Sequence, residues 1–361
     1  MSKLLAMMMR EKTGYMNLSV VGSPTISSGV ASGFSSSNYL QMSSNLPSTD
    51  SFEIQVDFTT GNSFTNYETV FLLRQICDIE YSNAYLSFVS YNWRTNGYIK
   101  IIENPQTNTH YTVKFIKNNE TVDFYLSTNG GSFSKVATTD VGTMAQANLV
   151  SFGTSIANLS RAFAGSINIP NCYIKLNGVK YNFQFTMPLT KVGSPTITDG
   201  VVSGFSSSNY LTIPTYSDTI NSLELVFKIE TKPTTITNNA LICSLNGNIT
   251  FRSFVTSGNK VQFSYKDINS TTRNVPSTNN VSDGLFVKFV LNSLGTKLYF
   301  STDGTTWNLE YSRDEVADFS GGITDGRLGY LSNTYNVYDG SLDIGKSYIK
   351  INGTKYILTL P

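Results

Sequence analysis

The chain has 361 residues, enough for two or three domains, with 26 Lys and Arg against 25 Asp and Glu for a net charge of +1. Charged residues are 14% of the total, well under the roughly 25% usual in soluble proteins, and no Lys/Arg run supplies the phosphate-neutralising face that nucleic-acid binding needs. An aromatic content of 12% argues against disorder, and three cysteines (Cys77, Cys172, Cys243) are an odd number, so two halves cannot share one disulfide framework.

Residues 1–17 carry the only helix-favouring composition in the chain, with Lys3, Arg10 and Lys12 flanking Leu4, Leu5, Ala6, Met7, Met8 and Met9. They read either as a frayed terminus or as a docking arm. In the second case Leu4, Leu5, Met7, Met8 and Met9 would offer adaptable apolar side chains to a partner's surface. The apolar run is too short for a secretory leader, and no stretch approaches the ~20 apolar residues of a membrane helix. Synthesis in a cytoplasm and no membrane insertion are therefore expected.

Next comes a stretch that the chain contains twice. Gly22 to Leu40 and Gly193 to Leu211 differ only at Ser27/Thr198, Ser28/Asp199 and Ala31/Val202. The copies lie 171 residues apart, a whole domain and far beyond the ~20–50-residue periods of solenoids and propellers. Val113-Lys114-Phe115 recurs as Val287-Lys288-Phe289, and Tyr173 to Gly178 recurs as Tyr348 to Gly353 with one change, Leu176/Ile351. The register slips by four residues in all, as loop-length variation on a shared scaffold produces. A tandem duplication is expected: an arm over 1–17, a first domain over 18–190 and a second over 191–361.

Within the first copy, Phe52 to Phe58 alternates with period two and puts Phe52, Ile54, Val56 and Phe58 on one strand face. Tyr85 to Tyr91 and Tyr98 to Ile102 flank Thr95-Asn96-Gly97, the strongest short hairpin signal. Val113 to Ile116 and Val122 to Ser127 make a second hairpin, and Gly165 to Ile169, Cys172 to Leu176 and Tyr181 to Phe185 close the copy. The second copy repeats this plan with Leu223 to Ile229, Ile249 to Phe254, Lys260 to Tyr265, Leu298 to Ser301 and a final hairpin from Tyr348 to Leu360. With a link of only Met187 to Thr190, each domain must bring its first and last strands together, which Greek-key or jelly-roll connectivity allows.

Several blocks carry a family resemblance. Gly-Ser-Ile/Leu-Asn/Asp-Ile followed by Tyr-Ile-Lys-Leu/Ile-Asn-Gly-x-Lys-Tyr, at 165–181 and 340–356, resembles the closing strands of laminin-G-like domains of the concanavalin A-like lectin/glucanase superfamily. The Val-Lys-Phe strand, the Tyr-x-Ser-Thr-Asn/Asp-Gly hairpin and Gly-Phe-Ser-Ser-Ser-Asn-Tyr-Leu resemble other parts of that family. In tandem and rich in Ser, Thr and Asn, the arrangement is similar to modules of head-fibre, tail-fibre and decoration proteins of tailed bacteriophages. The resemblance implies an all-β fold: two tandem antiparallel β-sandwiches of the jelly-roll, concanavalin/laminin-G-like kind with a short N-terminal arm. It further implies a structural and adhesive virion protein whose partners are other capsid or tail proteins and host surface glycan. A lectin-type receptor-binding protein is the second reading and a glycoside hydrolase the third.

The residues weigh against hydrolysis, which needs two facing carboxylates. The nearest match is Glu53 with Asp57, at twice the alternate spacing, and Lys228 stands at the second position in the other copy. No catalytic residue is assigned. His110, the only histidine, has Gly284 as its counterpart and reads as a surface residue. No zinc-type spacing exists and no cofactor is expected; calcium has only scattered loop residues such as Asp199, Asp267 and Asp303, which serve equally as turn formers. Glycan binding is assigned to Tyr91, Asn92, Trp93, Arg94 and Asn96 at the first hairpin tip, where an aromatic ring stands among amide and guanidinium groups. Asp303 and Trp307 form a weaker candidate. Ser301 to Trp307 is similar to the sialidase Asp-box but one residue short, and Trp307 reads better as core because its counterpart is Phe133.

Overall fold

Ser51–Thr59 shows how the sequence builds the fold. Phe52, Ile54, Val56 and Phe58 are all buried, while Glu53 and Gln55 stand on the other face. The structure is a computed structural model that describes residues 12–43, 46, 51–74, 77–82, 84–90, 98–118, 120–140, 149–155, 161–234, 236, 239–247, 250–319, 321–330 and 337–361. Among these residues all regular structure is β except a 3₁₀ turn at Ile169–Asn171, and no helix is long and apolar enough to cross a membrane. The chain divides between Phe185 and Thr186 into two compact units.

In the first unit one sheet runs, edge to edge, Ser134–Asp140, Thr121–Thr128, His110–Asn118, Ser51–Thr59, Tyr173–Leu176, Val179–Pro188 and Lys12–Val21. At the other end of Ser51–Thr59, the short strand Ser166–Asn168 takes the inner position and passes the pairing to Val30–Ser32 and Thr25–Ser27. The second sheet runs from the end of Lys12–Val21 through Tyr39–Ser43, Leu149–Phe152, Glu68–Leu73, Cys77–Ser82 and Tyr85–Ser90 to Tyr98–Glu103. Among the described strands of this unit every strand pairing is antiparallel except one. Lys12 to Leu18 lies parallel to Val179 to Phe185, joining the first and last strands of the unit.

That pairing corrects the arm's boundary at residue 17. Positions 12–17 are the start of a ten-residue strand, and Met16 and Leu18 are buried in the sandwich. The side chains proposed for docking, Leu4, Leu5, Met7, Met8 and Met9, lie outside the described residues.

The second unit repeats the layout. Asn308–Arg313, Gly295–Ser301, Leu285–Asn292, Leu223–Thr231, Ser341–Ile351 and Thr354–Thr359 form one sheet, with Val201–Ser203 and Thr196–Thr198 beside the first half of Ser341–Ile351. Thr190–Val192, Tyr210–Ile213, Ile323–Leu328, Ala240–Gly247, Phe251–Val255, Lys260–Lys266 and Thr272–Asn280 form the other, seven-stranded. Met187 and Leu189, in the link between the duplicated sequences, are both buried.

Aromatic rings from facing sheets close each core. Phe88 meets Phe115 at 4.9 Å and Phe124 at 5.0 Å in the first unit; Phe251 and Phe263 meet Phe289 at 5.5 and 5.3 Å in the second. Tilted and edge-on pairs of this kind are each worth about 0.5–1.5 kcal/mol beyond their burial. Two glycines fix the equivalence of the units. Gly153 and Gly329 take φ of +83° and +85°, and the rings of Phe34 and Phe205 occupy the space where their Cβ atoms would lie.

Candidate functional site

The hairpin predicted to carry the glycan site forms, with Tyr85–Ser90 antiparallel to Tyr98–Glu103. Its tip residues Tyr91, Asn92, Trp93, Arg94 and Asn96 lie outside the described residues. The weaker candidate is a turn. Asp303 accepts hydrogen bonds from the backbone N–H of Thr306 and of Thr305, both 2.7 Å, and from Ser301 Oγ at 2.9 Å. Those donors hold its carboxyl well below the usual carboxylate range. Trp307 is not core as the sequence indicated. It is half-buried on the outer side of its sheet, where Lys288 Nζ sits 4.1 Å above the ring; Phe133 and Lys114 repeat the stack at 4.5 Å.

His110 is bound rather than free at the surface: its Nε2 lies 2.9 Å from Oδ1 of buried Asp57, whose Oδ2 accepts from Thr112 Oγ1 at 3.0 Å. Among the described residues no group of three or more His, Cys, Asp or Glu could hold a metal ion. Asp267 accepts from the N–H groups of Asn269 and Thr271, each at 2.9 Å, and from Arg273 Nε at 2.6 Å; Asp199 takes a left-handed φ of 49° in a turn.

The sheet containing Cys77–Ser82 carries carboxylates that the sequence reading passed over. Asp78 and Glu80 alternate on its outer face, where Asp78 pairs across with Leu72 and Glu80 with Thr69. The signal was the period-two run Cys77-Asp78-Ile79-Glu80. These two acids do not face a cleft, since Asp78 is 0% and Glu80 1% exposed. The segment at 161–164 pairs beside Thr69, whose N–H donates to Arg161 C=O, and the Arg161 guanidinium lies 3.4 Å from Glu80 and over the Tyr67 ring at 4.8 Å. Glu68 accepts from Thr65 N–H at 2.6 Å and from Ala164 N–H at 3.4 Å, and burial pushes its carboxyl above the usual range.

The equivalent face of the second unit carries different side chains. Counting across the sheet from Gly153 and Gly329, the row Ser151, Leu72, Asp78, Val89 corresponds to Arg327, Ser244, Arg252, Ser264. One row further, Glu80 and Ser87 correspond to Phe254 and Gln262. Phe251–Val255 and Lys260–Lys266 alternate, so Phe251, Phe263 and Tyr265 fill the core and the intervening residues face outward. Outward side chains of Phe251–Val255, Lys260–Lys266 and Thr272–Asn280 line a cleft of about 320 Å³. This is at the small end of the ~300–1,000 Å³ range of ligand sites.

Each group in the cleft has a recognisable chemical part. Arg252 and Lys266 bring positive charge, Asn239, Gln262 and Asn274 bring amides, and Thr250, Ser264 and Thr272 bring hydroxyls. Phe254, 3% exposed, is the apolar floor. Among the described residues no carboxylate lines it. The nearby Asp325 is engaged with Arg327 at 2.9 Å, and Asp267 with Arg273.

The opposite outer face of each unit, by contrast, retains the same residues. Tyr173 hydroxyl donates to Glu53 with Lys180 4.0 Å above its ring; Tyr348 donates to Glu224 at 2.6 Å with Lys355 4.0 Å above. Lys114 and Lys288 complete both clusters. One face is thus preserved between the copies, while the other exchanges Asp78 and Glu80 for Arg252 and Phe254.

The fold is all-β, with two compact units built of largely antiparallel sheets in tandem. Solved structures similar to the chain include the LG1-3 region of the laminin alpha2 chain (16% identity, TM-score 0.36), with 88% of this chain and 64% of that one covered. The chain therefore spans just under two thirds of that region's length. Domains LG4-5 of the mouse laminin alpha1 chain match over 94% of this chain and 95% of that one, at 12% identity and TM-score 0.31. The enzymatically active domain of bacteriophage CBA120 tailspike protein 2 matches over 46% of this chain and 29% of that one, at 9% identity and TM-score 0.34. No family model matches the chain, and no curated protein matches it in sequence.

Proposed function

We propose that the chain is a structural and adhesive protein of a tailed-phage particle, attached to capsid or tail proteins, with the second sandwich engaging host surface glycan. The polar cleft on the outer face of the second unit carries this reading: six neutral side chains that each donate and accept hydrogen bonds line it together with Phe254. An array of sugar hydroxyls, which also donate and accept, is the matching surface. Supporting the virion assignment are the tandem sandwiches and the resemblance of their repeated blocks to phage fibre and decoration modules.

Binding is favoured over hydrolysis because the alternating acids, Asp78 and Glu80, are buried, while no carboxylate among the described residues lines the cleft. The test has two parts. Mass spectrometry of purified particles should find the chain, and an excess of purified chain should slow adsorption of those particles to their host. Absence from particles together with undiminished adsorption would overturn the proposal.

A further inference from the structure

We infer that the outer face of the Glu224-bearing sheet in the second unit binds a phosphomonoester carried by a host surface glycan. This contact lies on the sheet opposite the cleft, and it rests on the adhesive reading above for the glycan that carries the phosphate.

Two rows of side chains cross that face. Lys288, Val226, Tyr348 and Ile357 stand side by side in one, and Lys297, Val290, Glu224, Lys350 and Lys355 in the next. Tyr348 donates to Glu224 at 2.6 Å, Lys355 lies 4.0 Å over the Tyr348 ring, and Lys288 lies 4.1 Å over Trp307 and 4.7 Å over Tyr299. Lys350, half-buried between Glu224 and Lys355, has no ion pair or ring contact among the described residues. Lys288, Lys350 and Lys355 therefore share one carboxylate, for a net charge of +2, and that carboxylate already accepts from Tyr348. Burial lowers the ammonium pKa of Lys288 and of Lys355; Glu224 opposes the shift and the charge of Lys350 adds to it. Elsewhere on the face the charges balance. Lys228 meets Glu230 and Asp343, Lys346 meets Asp343 at 3.3 Å, and Asp303 is held by Ser301, Thr305 and Thr306 in its turn.

A phosphomonoester, at about −1.5 to −2 near neutral pH, matches that excess. The kind of cation points the same way. All three are lysines, point charges whose rotatable donors close on a tetrahedral anion, whereas carboxylates and phosphopeptides are characteristically gripped by the planar arginine fork. Lys350 and Lys355 are directly across from each other, and Lys288 is the diagonal neighbour of Glu224, ~7–8 Å away, within reach of flexible stems. A nucleic-acid backbone has only about one charge per phosphate, and its bases would compete for rings that already hold Lys288 and Lys355. The duplication supplies a comparison. In the first unit Lys114, Gln55, Tyr173 and Asn182 form one row and Asp123, Ile116, Glu53, Lys175 and Lys180 the next, so the three lysines, the glutamate and the tyrosine are all retained. Contacts within the cluster account for Tyr348, Glu224, Lys355 and Lys288, but not for Lys350. Exposed Lys297 moreover replaces Asp123, which makes the second unit the more positive.

Isothermal titration of the full chain with mannose 6-phosphate and glucose 6-phosphate, beside glucose 6-sulfate, glucuronate and glucose, tests this. At least one sugar phosphate should bind about ten-fold or more tighter than the sulfate and the glucuronate, and its affinity should fall with added salt. Lys350→Gln should lose about ten-fold, consistent with removal of one charge-assisted hydrogen bond. Glu224→Gln should bind several-fold tighter, because it removes the acid that competes with the ligand; a purely structural role would not give that sign. Lys346→Gln, on the same strand but paired with Asp343, should bind as the unaltered chain does, and circular dichroism establishes that all three variants fold. Alkaline phosphatase treatment of host cells should reduce binding of the chain to them, and undiminished binding would overturn the glycan source. Equal affinity for phosphate and sulfate, or weaker binding by Glu224→Gln, would overturn the inference and leave the adhesive reading standing. Tighter binding of a phosphoserine tripeptide than of either sugar phosphate would overturn it in favour of a protein partner, and tighter binding of oligothymidylate in favour of nucleic acid. Binding to none of these while the chain still slows adsorption would remove this face from adhesion, and loss of both would remove the adhesive reading as well.

Discussion

Two buried cysteines, one in each unit, should respond unequally to the same one-atom change. Cys172 and Cys243 are both fully buried. Cys172 Sγ accepts from Asp57 N–H at 3.4 Å and donates to Asn168 C=O at 3.3 Å. The second unit already has the oxygen version of this arrangement: Ser347 Oγ accepts from Lys228 N–H at 3.2 Å and donates to Asp343 C=O at 2.6 Å. Cys172→Ser therefore places a hydroxyl between a donor and an acceptor and should cost less than about 1 kcal/mol. Cys243 has no polar partner for its thiol among the described residues, and burial alone pushes that thiol up. A serine there buries an unsatisfied hydroxyl, at a cost of about 1–3 kcal/mol. For domains of this size each kcal/mol shifts the melting temperature by about 2–4 °C, so Cys243→Ser should lower its unit's transition by roughly 2–12 °C. Scanning calorimetry of the full chain reads both. Equal shifts for the two variants, or a larger one for Cys172→Ser, would show that local hydrogen bonding does not set the cost.

Gly153→Ala should destabilise the first unit by about 2–5 kcal/mol, because the residue is left-handed and the new methyl meets the Phe34 ring 2.1 Å away. Gly130→Ala, also left-handed at φ +74° but with nothing within 4 Å, should cost only about 1–2 kcal/mol, and urea denaturation separates the two. Glu68 has a folded-state pKa raised by burial, so its contribution is fully favourable below the usual carboxylate range and is lost as pH rises through the raised value. Glu68→Gln should flatten that loss in urea midpoints measured across the interval; parallel pH curves would contradict the assignment. Asp303 has the opposite sign. Its lowered pKa stabilises above the usual carboxylate range and the benefit disappears in acid, so Asp303→Ala should be less stable at neutral pH and converge with the unaltered chain as pH falls.

What could be read from the sequence was whatever depends on neighbours along the chain. Alternation in Phe52 to Phe58, the hairpin of Val113 to Ile116 with Val122 to Ser127 and the closing strands all follow from local period and turn chemistry, and each is present. The strand at 12–18 escaped because its partner, Val179 to Phe185, is a domain's length away and parallel, so no turn announces it. A trace was nonetheless available, since Met16-x-Leu18 recurs as Met187-x-Leu189. The site was harder for the same reason. Arg252 and Phe254, Gln262 and Ser264, and Thr272 and Asn274 can each be read as outward pairs on their own strand. What makes them a cleft is the register between three strands. Asp78 and Glu80 display the converse: their alternation is plain in the sequence, yet both are buried, and the guanidinium that meets Glu80 comes from Arg161, some 80 residues further on. Polarity of a strand face is thus a local property, whereas access to it is a tertiary one, and function on a sandwich depends on access.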